Sequence, residues 1–442
     1  MELGKMSKKN HNIFRCTATG DAMISLRLPA DGVYPGFEEV RDFIGRGDFR
    51  FGNLETTVHN FESFAGARSG GSWLCSPPGV LDDLRKFGIN ILNLANNHAL
   101  DYSCGGLLRT MAYTRERGFP FAGVGENLAA ASRPAYLDTT SGRYALIGCT
   151  MSLHPEAMAG IQTGSLPGRP GVNGIRTEDR YLVPREELGH LKRIADMLGL
   201  NDIDNIERAE GYLPQLREGE QPFGKMFFQA AEKAEFRRTL REEDMKRVTD
   251  AVAEARFMAD YVAVSFHCHT IEGTSKETVD RVSKEFARRC IDAGADAVIG
   301  TGPHLLRPLE IYKGKPIFYS LGDFIIQLET IRRAPAEMFA EQNLGGDDRL
   351  DRLFETRSDR GKRGLCYDPV MFRSVIPYWE ADADGVTQMV LMPVEENFGQ
   401  HRGHGGWPRM DAGSGIIEHL AEMSRPFGVE ITVEKGLGIV KL

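Results

Sequence analysis

No apolar run in the 442 residues approaches the roughly 20 needed to cross a bilayer, so no membrane-spanning helix is expected. Cysteine is sparse and odd in number. Seven residues (Cys16, Cys75, Cys104, Cys149, Cys268, Cys290, Cys366) are scattered with no Cys-x-x-Cys, which argues against a disulfide framework and fits a reduced, cytoplasmic compartment. An excess of basic charge is also missing: 54 Lys and Arg stand against 62 Asp and Glu, a net charge of −8, with no Lys/Arg run. Nucleic acid is therefore not an expected partner. Residues 1–10 are Lys-rich but polar and lack the apolar segment of a secretory signal, so neither export nor a membrane anchor is expected. Internal repeats and low-complexity tracts are absent as well. What is present is 41% apolar and 26% charged sequence, enough to bury a sizeable core in one large domain or two ordinary ones.

From residue 14 to about 322, short apolar runs alternate with helical patterns. Residues 13–18, 51–54, 89–94, 144–148, 261–266, 297–300 and 316–320 read as strands, being short, β-branched or aromatic, and followed by Gly, Asn or His. Residues 78–87, 243–258 and 276–293 read as helices; the last carries Val279, Val282, Phe286 and Cys290 on one face. The alternation predicts an α/β fold with covered sheets. Two stretches break it. Residues 152–223 are rich in Gly, Pro and charge, with one clear helix at 184–198, and residues 328–368 are strongly charged. Insertions at strand ends are expected to wall a site. Residues 371–442 read as strand, strand, helix and strand, expected to complete the second sheet.

Five strands end in oxygen or imidazole donors. Gly20-Asp21 follows the first, Asn53-Leu54-Glu55 the second and Asn96-Asn97-His98 the third; His267-Cys268-His269 and Gly302-Pro303-His304 follow two more. Ligands of open α/β sheets bind outside the carboxyl ends of strands. Carboxylate, amide oxygen and imidazole together form the donor set of a hydrolytic two-metal site. Singly, each residue has a structural alternative: Asp21 a turn or helix cap, Asn96 and Asn97 a tight turn, His267 a satisfied core histidine. Five in chain order argue for one site.

These segments resemble the CapA family, the capsule-synthesis or poly-γ-glutamate-associated proteins of the calcineurin-like metallophosphatase superfamily. The resemblance rests on Gly20-Asp21-Ala22-Met23, Gly52-Asn53-Leu54-Glu55, Asn96-Asn97-His98-Ala99-Leu100-Asp101, Phe266-His267-Cys268-His269 and the run from Gly302-Pro303-His304 through Ser320-Leu321-Gly322-Asp323-Phe324. It implies a four-layer α/β/β/α sandwich of the metallo-dependent phosphatase type over residues 14–395, with insertions at about 152–223 and 328–368 and with residues 396–442 packing on the same domain. It also implies site roles. Asp21 resembles the first aspartate, Glu55 the bridging carboxylate, Asn97 a metal ligand, His98 the leaving-group acid, and His267 and His304 the later histidine ligands.

The sequence departs from the superfamily pattern at two imidazoles. Asp21 is followed by Ala22 and Met23 rather than by a histidine two positions on, and Thr301 stands where a histidine is usual. The mapping leaves Asp21, Glu55 and His304 for one ion and Glu55, Asn97 and His267 for the other, with His269 as a substitute imidazole. Mn²⁺ or Zn²⁺ is expected, below full occupancy or absent. Asp101 reads either as a partner for His98 or as a helix N-cap, Asp323 as a turn residue in preference to a further negative charge near the pocket, and Trp73 as a substrate cover or a core wedge. Arg180, Arg185, Arg332, Arg333, Arg357 and Arg360 lie in the insertions, where some could meet an anionic substrate.

Three functions remain open at this stage. One is metal-dependent hydrolysis of an amide or phosphate ester bond in a peptide or anionic substrate, small molecule or polymer, with His98 as acid. Another is a metal-independent acid–base enzyme, such as a peptide epimerase using Asp21 and His304. The third is a non-catalytic accessory of poly-γ-glutamate capsule synthesis, disfavoured by the expected lack of an anchor.

Overall fold

The β-branched and aromatic runs pair into two large sheets of a mixed α/β fold, in a computed structural model that describes residues 12–29 and 34–442. The Lys-rich stretch at residues 1–10 lies outside the described residues.

The first sheet is organised around Phe14–Met23, buried along nearly its whole length. On one side lie Phe49–Leu54, Ile91–Asn93 and Phe121–Ala122, all parallel. On the other side the strand is shared. Its first half pairs antiparallel with Arg373–Ala381, and its second half pairs parallel with Asp323–Ile326, setting Asp21 opposite Asp323. Val386–Glu395, Leu437–Lys441 and Glu430–Glu434 extend the same sheet outward. The C-terminal segment therefore completes the sheet of the first strand rather than the second sheet, because that strand has a free edge that only a distant segment supplies. The sequence pattern does not mark the last strand, Leu437–Lys441, which is short and broken by Gly438.

The second sheet runs Leu306–Tyr312, Lys315–Leu321, Ala297–Thr301, Tyr261–His267, Gly142–Thr150 and Ala135–Thr139, with the inner four strands parallel. One apolar cluster joins residues of both sheets: Phe14, Phe49, Phe51 and Trp379 from the first, and Tyr144, Tyr261 and Phe318 from the second. Trp379 Nε1 donates to the Tyr261 hydroxyl at 2.8 Å, so the polar ends of two large buried side chains satisfy each other. On the far side of the first sheet, Phe37–Ile44, Val80–Lys86 and Ser103–Glu116 bury Val40, Leu84, Leu107 and Met111 against Ile24, Leu92 and Ile376. The helix Arg281–Asp292 places Phe286 5.4 Å from Phe266 of the second sheet. It starts later than the sequence pattern suggests. Asp280 is its N-cap, accepting from the Ser283 N–H, and residues 276–279 precede it.

The chain divides into two compact units, residues 175–245 and the remainder. The smaller unit has a four-stranded sheet (Glu220–Phe223, Met226–Ala230, Thr177–Val183, Glu235–Leu240) and two helices, Arg185–Leu198 and Asp202–Ala209. In the larger unit, the insertion at 328–368 sets Met338, Phe339, Leu353 and Phe354 in one apolar cluster with Trp73, Leu74 and Tyr102. Trp73 is thus a core wedge. Among the described residues no helix is long and apolar enough to cross a membrane.

Gly20 sits where the pairing of Phe14–Met23 with Phe49–Leu54 slips register, between Ala18 and Asp21. A bulge of this kind re-aims the side chain that follows it. A Cβ on Gly20 would lie 1.9 Å from the Gly322 carbonyl oxygen, so Gly20→Ala has to push adjacent backbone segments apart. We expect it to cost about 2–3 kcal/mol in chemical unfolding. Gly413→Ala, whose added Cβ meets nothing within 4 Å, is expected to stay within about 0.5 kcal/mol of wild type.

Candidate metal centre

The bulge turns Asp21 inward at the end of its strand. Asn53 Nδ2 donates to Asp21 Oδ1 at 2.5 Å, and the Gly302 N–H donates to Oδ2 at 2.7 Å. Glu55 follows the neighbouring strand, and its own N–H donates to the Ala22 carbonyl. Both Glu55 carboxylate oxygens are buried with no hydrogen-bond partner. Around Oε1 stand three imidazoles: His267 Nε2 at 3.4 Å, His269 Nε2 at 3.9 Å and His98 Nε2 at 4.0 Å.

His267 ends its strand opposite Thr301. Thr301 Oγ1 lies 3.0 Å from His267 Nδ1, and Asn97 Oδ1 lies 2.6 Å from Nε2. Thr301 thus fixes the ring of a neighbouring imidazole at the position where a further imidazole was expected. Asn97 Nδ2 donates to the Gly70 carbonyl at 2.8 Å, and Asn96 Oδ1 accepts from the His98 N–H at 3.0 Å. The asparagine pair therefore holds a loop and orients His98.

His98 Nδ1 is 2.6 Å from Asp101 Oδ2, an arrangement that keeps the ring proton on Nδ1 and turns Nε2 toward Glu55. Asp101 also accepts from the N–H groups of Gly70 and Leu74, at 2.9 and 2.7 Å. It pins the glycine-rich loop to the site and does not cap a helix. The helix that follows begins at Ser103 with Tyr102 in the N-cap position.

His304 has φ 61°, in the left-handed region that a side chain adopts at a cost of about 1–3 kcal/mol. Its Nδ1 is 3.0 Å from Asp323 Oδ1, while Asp323 Oδ2 is buried without a partner. Asp323 is therefore part of the constellation and not a turn residue. Its place depends on the parallel register with Asp21, which no local pattern reveals. Cys268 faces away, its sulfur accepting from the Thr270 N–H and the Ser283 hydroxyl.

The structure thus brings together Asp21, Glu55, Asn97, His98, His267, His269 and His304, and adds Asn53, Asp101 and Asp323. Their donor atoms form two groups that share Glu55. Asp21, Glu55, His304 and Asp323 make one, and Glu55, His267 and His269 the other, each with its ligating atoms within 4.8 Å of one another. Asn97 Oδ1 adjoins the second through His267. Of the arginines in the insertions, Arg357 reaches this region, donating to Ser72 Oγ and the Gly71 carbonyl. Arg180 pairs with Glu178 within the smaller unit.

Asp21, Glu55, Asp101 and Asp323 are all fully buried, a concentration of acid that the neighbouring imidazoles balance only when protonated. Burial, with Asp21, Asp323 and Asp101 adding to it, pushes the Glu55 carboxyl well above the usual range. Burial pushes Asp323 up to about 6 despite His304, and burial holds His267 below the ordinary imidazole value despite Asp21. Burial and the neighbouring imidazoles press His269 down further. A divalent cation needs Glu55 ionised and the imidazoles neutral: burial already favours the neutral rings of His267 and His269, and a bound cation would offset the cost of the buried Glu55 charge. The residues present therefore fit a metal centre.

A family model described as bacterial capsule synthesis protein PGA_cap matches residues 15–328. The uncharacterized protein y4sH of Sinorhizobium fredii is 31% identical over 97% of this chain and 93% of its own length. The capsule biosynthesis protein CapA of Bacillus anthracis is 23% identical over 65% of this chain and 53% of that protein. A probable polyglutamine synthesis accessory protein of Mycobacterium tuberculosis is 28% identical over 63% of this chain and 56% of its own length.

Glu55→Gln removes one buried like charge from the metal-free site, and we expect it to stabilise chelator-treated protein by about 1–3 kcal/mol. Below the ordinary glutamate value of 4.5 the residue is neutral folded and unfolded, and the gain vanishes. As pH rises above that value the unfolded chain ionises first, so the gain grows until the raised folded value is passed. Unfolding of both proteins across pH 4–9 measures this. A gain independent of pH would mean that the Glu55 charge is compensated some other way.

Proposed function

Because the chain belongs to the bacterial capsule synthesis PGA_cap family, the CapA family, we propose that it is a metal-dependent hydrolase acting on an amide bond of an anionic or peptide polymer. The observation that carries this reading is the bare Glu55 carboxylate between two donor groups. The two facing sheets with helices outside them support the finer reading of the fold as a four-layer α/β/β/α sandwich of the metallophosphatase type. The capsule and polyglutamine synthesis in the relatives' names favours an amide-bonded polymer over a phosphate ester, although the chain spans little more than half of those relatives.

In this reading Asp21, Glu55, His304 and Asp323 hold one divalent ion, Mn²⁺ or Zn²⁺, and Glu55, Asn97, His267 and His269 hold the other. When bound, such ions supply Lewis acidity toward the scissile group and toward water. The chain's own residues do the rest. Asn53 and the Gly302 N–H orient Asp21, and Thr301 and Asn97 fix the His267 ring. Asp101 accepts the Nδ1 proton of His98 and aims Nε2 at the site; in the doubly protonated imidazolium form, Nε2 would give its own proton to the leaving amine. The glycine-rich loop, tied to Asp101 and Asn97, covers one side of the centre and limits water.

A non-catalytic accessory role, in which the same pocket binds polymer without turnover, is supported by the name of the mycobacterial relative. One set of assays separates the two. On a γ- or α-linked glutamate polymer, chelation is expected to abolish hydrolysis and Mn²⁺ or Zn²⁺ to restore it. His267→Ala is expected to lose metal and activity together. His98→Ala is expected to keep its metal and lose about 10²-fold or more in turnover. Hydrolysis that survives chelation would sink the metal mechanism, and tight polymer binding without turnover in metal-loaded protein would establish the accessory role.

A further inference from the structure

The His269 ring meets Glu55, His267 and the edge of His304, all members of the site itself, so its position depends on the backbone that carries it. On the incoming side the His269 N–H donates to Ser152 Oγ at 2.7 Å. On the outgoing side the backbone leads into an exposed loop, residues 271–276 all lying in solvent. Burial does not hold such a loop. Glu272 accepts from the Arg281 N–H at 2.7 Å, and one buried side chain ties both ends. Arg307, three residues past His304, is only 2% exposed. Its Nη2 donates to the Thr270 carbonyl at 2.7 Å and its Nε to the Lys276 carbonyl at 2.8 Å, closing the loop at both ends. Its Nη1 is 3.9 Å from Asp280, the residue that caps the helix Arg281–Asp292. A planar guanidinium can meet two carbonyls and a carboxylate at once, and a lysine ammonium at this depth cannot span all three. Burying a guanidinium is expensive unless its donors are used, as they are here.

We propose that Arg307 is the positioning residue for the His269 side of the site: by clamping residues 270 and 276 it holds His269 Nε2 within reach of Glu55 and His267. The inference rests on the metal-centre reading above, but the clamp itself is measurable without metal.

The test uses the full-length chain and the variants Arg307→Lys and Arg307→Met. Arg307→Lys keeps a positive charge for Asp280 and is the variant to rely on if Arg307→Met does not fold. In metal-free protein, tryptic cleavage after Lys276 is expected to speed up about tenfold or more in either variant, while sites in the sheets and helices stay protected. In Co²⁺ titrations, both variants should lose about 10- to 100-fold in affinity at one site, with the same change in the cobalt absorption spectrum as His269→Ala. Adding His269→Ala to Arg307→Lys should cost nothing further. Unchanged cleavage at Lys276, cleavage spread over the whole chain, or wild-type cobalt spectra in Arg307→Lys would each overturn the proposal. If the wild-type protein takes up no Co²⁺, the metal reading fails, and cleavage at Lys276 alone decides the clamp.

Discussion

Four carboxylates buried at one edge of two sheets set the problem that the rest of the structure answers. Asp21, Glu55, Asp101 and Asp323 are sealed from solvent, and like charges in a medium of low polarisability repel strongly. The protein answers in two ways. Asp21 and Asp101 are saturated with hydrogen bonds from Asn53, backbone amides and His98. Glu55 and one oxygen of Asp323 are left bare. A fold that needed only stability would have neutralised these as well. Their exposure to one another, with His267 and His269 beside Glu55 pushed toward the neutral form by burial, makes the edge a receptor for positive charge.

Holding such a site requires backbone precision, and the first strand supplies it. The slip at Gly20, a position with no room for a Cβ, turns Asp21 toward the centre. The parallel register with Asp323–Ile326 places the second carboxylate beside it. The second sheet contributes His267 and, just beyond its strands, His269 and His304. The loops that finish the site are tied by polar side chains, Asp101, Asn97 and Arg357 for the glycine-rich loop and Arg307 for both ends of the loop after His269.

Much of this arrangement can be read from the chain. Asp21, Glu55, Asn97, His98, His267 and His304 are legible because each lies at or just past the end of a short apolar strand, and the parallel strands of each α/β sheet share a carboxyl edge. Asp323 is not, because Gly322-Asp323 looks locally like a turn and its position is fixed by pairing with a strand at the other end of the sequence. The strands of the smaller unit are hidden by charge. Thr177–Val183 and Glu235–Leu240 carry arginines and acids on both faces, and their alternation makes sense only once Arg238 is seen paired across the strands with Asp179. The place of the C-terminal strands is hidden for a related reason, since nothing local says which sheet edge is vacant.

The sharing of the first strand also bears on how the protein is made. Cys16 pairs with Trp379, so the strand that organises the first sheet emerges from the ribosome long before its antiparallel neighbour exists. At about 5–20 residues per second, the intervening chain takes roughly 20–70 s to synthesise. Throughout that interval an apolar strand with an open edge is present in the nascent chain, a template for pairing with the wrong partner. The geometry that aims Asp21 into the site thus commits the protein to late closure of its first sheet and to dependence on whatever shields nascent chains while they wait.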